Sequence, residues 1–358
     1  MQTRLAASMA LMFLLASINC YGEDLCLEYS KKGEYDKAIA ACTELISKHD
    51  FSTFIAYDNR GFAYSKKGLY DKAIADFTKA LELNPKDTYA YNNRGFAFSQ
   101  KGLHDKAIAD STKAIELEPR NAVSYQSRAL AYEGYKQPEK ALSDWSKAIE
   151  LSTSEYNYLN RARLYRNAGR YDEAISDYTR IIGLKPANTI GYWFRAATYY
   201  EAGKFGEDIQ DYKKLLEIHT KDDPNVRLDL LYARLLNASG KQSKAEYDKV
   251  LREMREYVSS HPVSSDDEKW WRAVSQYYLG VDGMSDDKLL SMAGNAADKR
   301  RTAERICDAL YSIGEKRYAA GDRKGAAEFF NKSIETGVYS FSSRFAKAMI
   351  RLMQEGKI

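Results

Sequence analysis

The sequence predicts an all-α chain, a solenoid of antiparallel helix pairs wound into a right-handed superhelix. Three observations predict it. A unit of 34 residues recurs: Ala56–Pro85 reads AYDNRGFAYSKKGLYDKAIADFTKALELNP, and Ala90–Pro119 reads AYNNRGFAFSQKGLHDKAIADSTKAIELEP. Looser copies follow at Ser124–Leu151, Tyr158–Pro186 and Tyr192–His219. Small and aromatic residues hold fixed places in the unit, at positions 4, 8, 11, 15, 20, 24, 27 and 32; in the first clear copy these are Tyr57, Gly61, Tyr64, Gly68, Ala73, Phe77, Ala80 and Pro85. Each place has a physical reason. Gly68 suits a tight turn between two helices. Gly61 and Ala73 let those helices approach. Tyr57, Tyr64 and Phe77 fill space toward the next repeat, and Pro85 stops the second helix. One pair cannot bury its apolar face alone, so neighbours must stack.

A 34-residue period with these markers resembles the tetratricopeptide repeat. The runs Asn59-Arg60-Gly61, Ala63-Tyr64 and Asp71–Phe77 are similar to those of many bacterial repeat proteins of this kind. Taken in order, residues 1–22 read as a signal peptide and 23–53 as a degenerate first repeat. Five repeats follow at 54–87, 88–121, 122–154, 155–188 and 189–222. A weaker seventh helix pair covers 223–259. A helical connector covers 260–302, and a C-terminal repeat with a capping helix covers 303–358. Repeat 4 is one residue short and has Lys136 at the turn. Repeat 6 has Asp208 where Ala is expected at position 20.

The N-terminus predicts export. Arg4 precedes an apolar stretch, Leu5–Ile18, too short to span a bilayer but suited to a secretory signal. Cys20 and Gly22 place small residues three and one before Glu23, so cleavage near Gly22 is expected and the location is periplasmic. The alternatives are an uncleaved anchor and an outer-membrane lipoprotein held through Cys20; no other stretch could span a membrane. Export permits disulfides. In the frame of the first repeat, Cys26 takes position 8 and Cys42 position 24, which face each other across a helix pair. A Cys26–Cys42 bridge would staple the exposed end of the stack, while two free thiols remain the other reading. Cys307 reads as a small buried hydrophobe.

With 54 basic and 50 acidic residues well mixed, net charge +4, no basic stripe points to nucleic acid. No catalytic constellation, metal-ligand spacing or phosphate loop is visible, and no cofactor is expected. Two rows remain. Position 7 holds Arg60, Arg94, Arg128, Arg161 and Arg195; position 23 holds Asp76, Asp110, Asp144, Asp177 and Asp211. Repeat 1 and the last repeat lack both, so the rows read as structural ion pairs. Position 6 holds Asn59, Asn93, Ser127, Asn160 and Phe194 on the helix that faces the groove. An Asn side chain offers both a donor and an acceptor to a peptide backbone. The expected groove comprises Asn59, Phe62, Lys66, Tyr89, Asn93, Phe96, Tyr156, Asn160, Arg163, Arg166, Trp193 and Tyr200. The Asn row resembles the ladder in the repeat region of O-GlcNAc transferase. The clamp of chaperone-tail binders is not expected, because Asp58 and Phe62 stand where it needs Lys and Asn.

The C-terminal part carries a further resemblance. Asp222-Asp223-Pro224-Asn225, Trp270 with Tyr277-Tyr278-Leu279-Gly280, Leu289, Gly321-Asp322, Phe330, Val338 and Phe341 occur in an order similar to NlpI. That family consists of envelope lipoproteins that act as dimeric adaptors, bringing peptidoglycan hydrolases to a tail-specific protease. The resemblance spans about Asp222 to Leu352. It implies a non-enzymatic adaptor, with an envelope protease or wall hydrolase among its protein or extended-peptide partners, and a homodimer. The chain departs from it in its poor lipid-attachment motif, its additional N-terminal repeats, and Ser342-Ser343 where the family has Val-Glu. The alternatives are an enzyme with an unrecognised site and a cytosolic co-chaperone, which the signal segment opposes.

Overall fold

A computed structural model describes residues 25–47, 53–218, 230–231, 233–235, 237–238, 243–261, 265–295, 298–338 and 340–358. The stretch expected to be a signal peptide, with Cys20, and Asp222–Asn225 of the C-terminal motif lie outside them. Every described element is helical. Among the described residues, no helix is long and apolar enough to cross a membrane. The chain divides into two compact units, 1–164 and 165–358.

In the first unit, residues 25–31 are helical and pair with Tyr35–Ser47. The pairs Thr53–Lys66 with Tyr70–Leu83, Thr88–Gln100 with His104–Leu117, and Ala122–Gly134 with Pro138–Leu151 follow. The repeat chemistry acts at each joint. Gly68 and Gly102 both stand at φ +73°, the left-handed region. Lys136 adopts φ +57° at the same position, so repeat 4 keeps the turn without glycine. The residue closing one repeat caps the next: Asp87 accepts from the Ala90 amide at 3.1 Å, and Asn121 from the Val123 amide at 3.0 Å.

Positions 8 and 24 set the distance between paired helices. A β-carbon at Gly61 would lie 2.8 Å from the Phe77 ring, so a fully buried Phe at position 24 demands glycine at position 8. Repeat 1 solves the same contact covalently. Cys26 and Cys42 occupy those two positions and are bridged, with 5.2 Å between their α-carbons.

The second unit continues with Tyr171–Leu184, then Thr189–Glu201 paired with Glu207–Ile218, and then Lys244–Ser260, Asp266–Tyr278 and Asp286–Ala293. Lys299–Ala319 pairs with Arg323–Glu335, and Phe341–Gln354 closes the chain. The long helix Lys299–Ala319 begins within the stretch expected to be connector, because Asp298 caps it through the Arg301 amide at 2.8 Å. Nor is 260–302 a mere link. Trp270, Val274, Tyr277, Tyr278 and Leu289 are buried with Val250, Met254 and Ile313 in one core. The last pair repeats the glycine logic: a β-carbon at Gly314 would meet the buried Phe330 ring at 2.6 Å. Cys307 is a free, buried thiol.

Candidate functional site

The Arg and Asp rows lie between paired helices. Arg60 meets Asp76 through Nε at 2.7 Å and Nη2 at 2.8 Å, a two-pronged contact. Arg94 meets Asp110 at 2.8 Å on both prongs. Arg128 with Asp144 and Arg195 with Asp211 have the same arrangement. Asp177 is buried, and Arg161 donates to Ser146 Oγ at 3.0 Å. The spare Nη1 in this row has a job that the sequence reading missed. Arg60, Arg94, Arg128 and Arg195 each donate it to the Thr at position 25 of the preceding repeat: Thr43, Thr78, Thr112 and Thr179. Each of these guanidiniums also lies over two aromatic rings, as Arg128 does over Tyr125 at 5.8 Å and Tyr132 at 5.9 Å. Such a row holds repeats together and leaves little for a ligand.

The first helices of repeats 2 to 5 present another face. Positions 2, 6, 9 and 13 fall on one side of a helix. In repeat 2 these are Ile55, Asn59, Phe62 and Lys66; in repeat 3 Tyr89, Asn93 and Phe96; in repeat 5 Tyr156, Asn160 and Arg163. Tyr89 is 71% exposed, and Val123, Tyr156, Phe96 and Ile55 are exposed as well. Phe62 is half-buried beneath the Lys66 ammonium, 5.0 Å from the ring centre. The groove expected from the sequence includes the aromatics of this face, and the structure adds Ile55 and Val123. Their signal was available, since position 2 is large and apolar in every repeat from 2 to 6.

The Asn row is more occupied than expected. The Asn160 amide donates to the Tyr156 carbonyl at 2.8 Å, one turn back, and its oxygen accepts from Arg163. Arg163 also pairs with Glu133. Asn93 hydrogen-bonds the carboxyl of Asp58, which burial, and then the nearby Asp87, pushes up to about 7. An exposed Asn on a helix satisfies itself locally when a backbone carbonyl or neighbouring carboxyl is within reach.

Three expected groove residues stand elsewhere, all in the second unit. Tyr200 is buried, packed on Phe345 of the closing helix with ring centres 4.2 Å apart. Its hydroxyl joins that of Tyr311 and donates to Glu315 Oε1 at 3.1 Å. Tyr278 and Tyr311 also donate to the Glu315 carboxylate. Arg166 is buried too, donating to Glu201 through Nη2 at 2.6 Å and Nε at 3.1 Å. Arg344 of the closing helix donates to the same carboxylate at 2.9 Å. Trp193 is half-buried, edge-on to Tyr212 at 6.1 Å. The closing helix covers the C-terminal end of the first helix of repeat 6, burying Tyr200 and Glu201, and Glu201 in turn holds Arg166 of repeat 5; Ile190, at position 2 of repeat 6, stays exposed. Within the first unit the open face comprises the first helices of repeats 2 to 5, to which repeat 5 contributes Tyr156, Asn160 and Arg163.

Among the described residues, no group of His, Cys, Asp and Glu is placed to hold a metal ion. The tetratricopeptide-repeat family matches residues 55–87, 77–109 and 159–225. These matches cover about a third of the chain and mark those stretches as tetratricopeptide repeats. No curated protein matches the sequence. Among solved structures, the C-terminal part of a TPR repeat-containing protein from Cytophaga hutchinsonii is similar at 18% identity. It covers 67% of this chain and 96% of its own with a TM-score of 0.57, which establishes the shared fold. MamA is similar at 26% identity over 44% of this chain and 93% of its own, TM-score 0.41. YrrB, described as a TPR protein with an unusual peptide-binding site, is similar at 22% identity over 53% and 96%, TM-score 0.43.

Proposed function

We propose that this chain is a non-enzymatic adaptor of the bacterial envelope that holds extended polypeptide across the first helices of repeats 2 to 5. One observation carries the reading. Ile55, Tyr89, Val123 and Tyr156 form an exposed apolar row, one member per repeat, with Phe96 beside it. Large apolar side chains gathered on a surface mark interaction sites, and rigid aromatics among them are favoured anchors. Neighbouring helices pack about 10 Å apart. Since an extended strand rises roughly 3.3 Å per residue, each repeat would meet about three residues of ligand. The polar members, Asn59 and Lys66 among them, then serve the ligand backbone and its acidic groups.

Placing a photoreactive phenylalanine at Tyr89 or Phe96 should trap protein partners from envelope extract. The same group at Glu116, on the second helix of repeat 3, should not. Equal yields at the two faces would remove the assignment. Tyr89→Ala with Phe96→Ala should lower the affinity of a trapped partner by about 2 kcal/mol or more, with helical content unchanged.

The envelope location rests on the signal-like segment, and the adaptor role on the NlpI-like C-terminal order. A wall hydrolase or tail-specific protease is the partner that role implies. The mature protein should have an intact mass that begins at Glu23 and lacks two hydrogens for the Cys26–Cys42 bridge. A mass carrying acyl groups on Cys20 would make it a lipoprotein instead. Alkylation of both cysteines without reductant would remove the bridge.

A further inference from the structure

In the second unit, Arg166, Asn167, Tyr171 and Glu201 face Arg344, Lys347 and Arg351 of the closing helix across a cavity of about 380 Å³. Four cationic side chains line it against one carboxylate. That carboxylate, Glu201, is already committed: it accepts from Arg166 and Arg344, and all but 4% of its side chain is buried. The Arg166 side chain is equally buried. Arg344 also donates to Asn167 Oδ1 at 2.9 Å. Arg351 donates to the Glu201 carbonyl, reaches Glu355 at 3.4 Å, and sits 5.1 Å from the centre of the Tyr171 ring. Its Nε is nonetheless buried with no acceptor among the described residues. Lys347 is exposed at the cavity wall.

A structural clamp would need balance, and Glu201 in the lining with Glu355 beside Arg351 sets two carboxylates against four cations, a net positive cluster. Repeat 3 shows what balance looks like, with the half-buried Arg94 matched by one Asp. We propose that this cavity binds a carboxylate of an acidic polypeptide segment, an aspartate or glutamate side chain or a chain terminus. Guanidinium forks match carboxylate geometry, and fixed cations in a partly enclosed cleft focus their field on an incoming anion. The cavity is large enough for one or two acidic side chains. The site is independent of the apolar face of repeats 2 to 5 and carries its own partner chemistry. Its basic stripe, Arg344, Lys347 and Arg351, has the i, i+3, i+7 spacing of one helix face.

The test uses the full chain and a fluorescent acetyl-hexaglutamate, with acetyl-hexaglutamine as control. Neither peptide has apolar side chains, so failure here leaves the apolar-face reading standing. The acidic peptide should bind with an affinity that falls as salt rises. Lys347→Glu should weaken it about tenfold, and Lys347→Gln by an intermediate factor. Lys86→Glu, an equal charge change at an exposed site of the first unit, should change it less than about twofold. Melting temperature should hold in each variant, since both lysines are exposed. Equal affinities for Lys347→Glu and Lys86→Glu would overturn the proposal, as would equal binding of the two peptides. Inorganic phosphate that binds more tightly than hexaglutamate would overturn the carboxylate assignment.

Discussion

Arg128→Leu should cost about 3–5 kcal/mol of unfolding free energy, because it leaves the carboxylate of Asp144 buried without its partner. The Asp144 side chain is 7% exposed, and Arg128 holds it through both prongs at 2.7 and 2.8 Å. The variant also loses the tie to Thr112 and the guanidinium between Tyr125 and Tyr132. Arg128→Lys should recover only part of the loss, since an ammonium cannot span two oxygens and two rings at once. Arg128→Leu with Asp144→Leu should restore much of it, because a buried pair exchanged for apolar residues is often near neutral. Urea unfolding of the four proteins of that cycle measures the coupling. Additive losses would mean that the two groups do not act as a pair.

The second large effect is on pH. Glu315 is wholly buried, and burial pushes its carboxyl up to about 7, while three tyrosine hydroxyls oppose the shift by stabilising the ionised form. In the unfolded chain the same group titrates near 4.5. Between those values the folded state holds the proton that the unfolded state has released. Stability therefore falls as pH rises from about 4.5 to about 7, and the loss is complete above it. A shift of that size corresponds to about 3 kcal/mol. Asp308, buried and pushed up to about 6, acts with the same sign. Glu315→Gln cannot ionise and removes the Glu315 share, with a tyrosine hydroxyl turning to accept from the new amide. Unfolding free energy at pH 5 and pH 8 should then fall about 3 kcal/mol further in wild type than in Glu315→Gln. Parallel pH profiles would contradict it.

The repeat face was legible because the sequence compares its own repeats. Tyr89, Phe96 and Tyr156 stand at recurring positions, and helical periodicity alone puts them on one side of their helices. The Arg and Asp rows were legible for the same reason, being present and absent together. The Thr tie was not, because position 25 looks like an ordinary polar site until its hydroxyl is seen beside the spare guanidinium nitrogen. Repeat logic treats the C-terminal end of the first helix of repeat 6 as open, and so places Tyr200, and Arg166 of repeat 5 beside it, in the groove. What covers it comes from a helix more than a hundred residues later, and no local pattern announces that contact.

The sequence by itself determined the helix pairs, their turns and the close approach within each pair. Period, glycine and capping are local, and a few kcal/mol per joint settles them wherever the chain goes. Tertiary structure alone decided which faces stay open and where charge gathers. Basic and acidic residues are nearly equal in number along the chain. Packing the closing helix against repeats 5 and 6 nevertheless brings Arg166, Arg344, Lys347 and Arg351 around one carboxylate. Coulomb energy depends on distance in space, and separations of some 180 residues hide that distance from any reading along the chain.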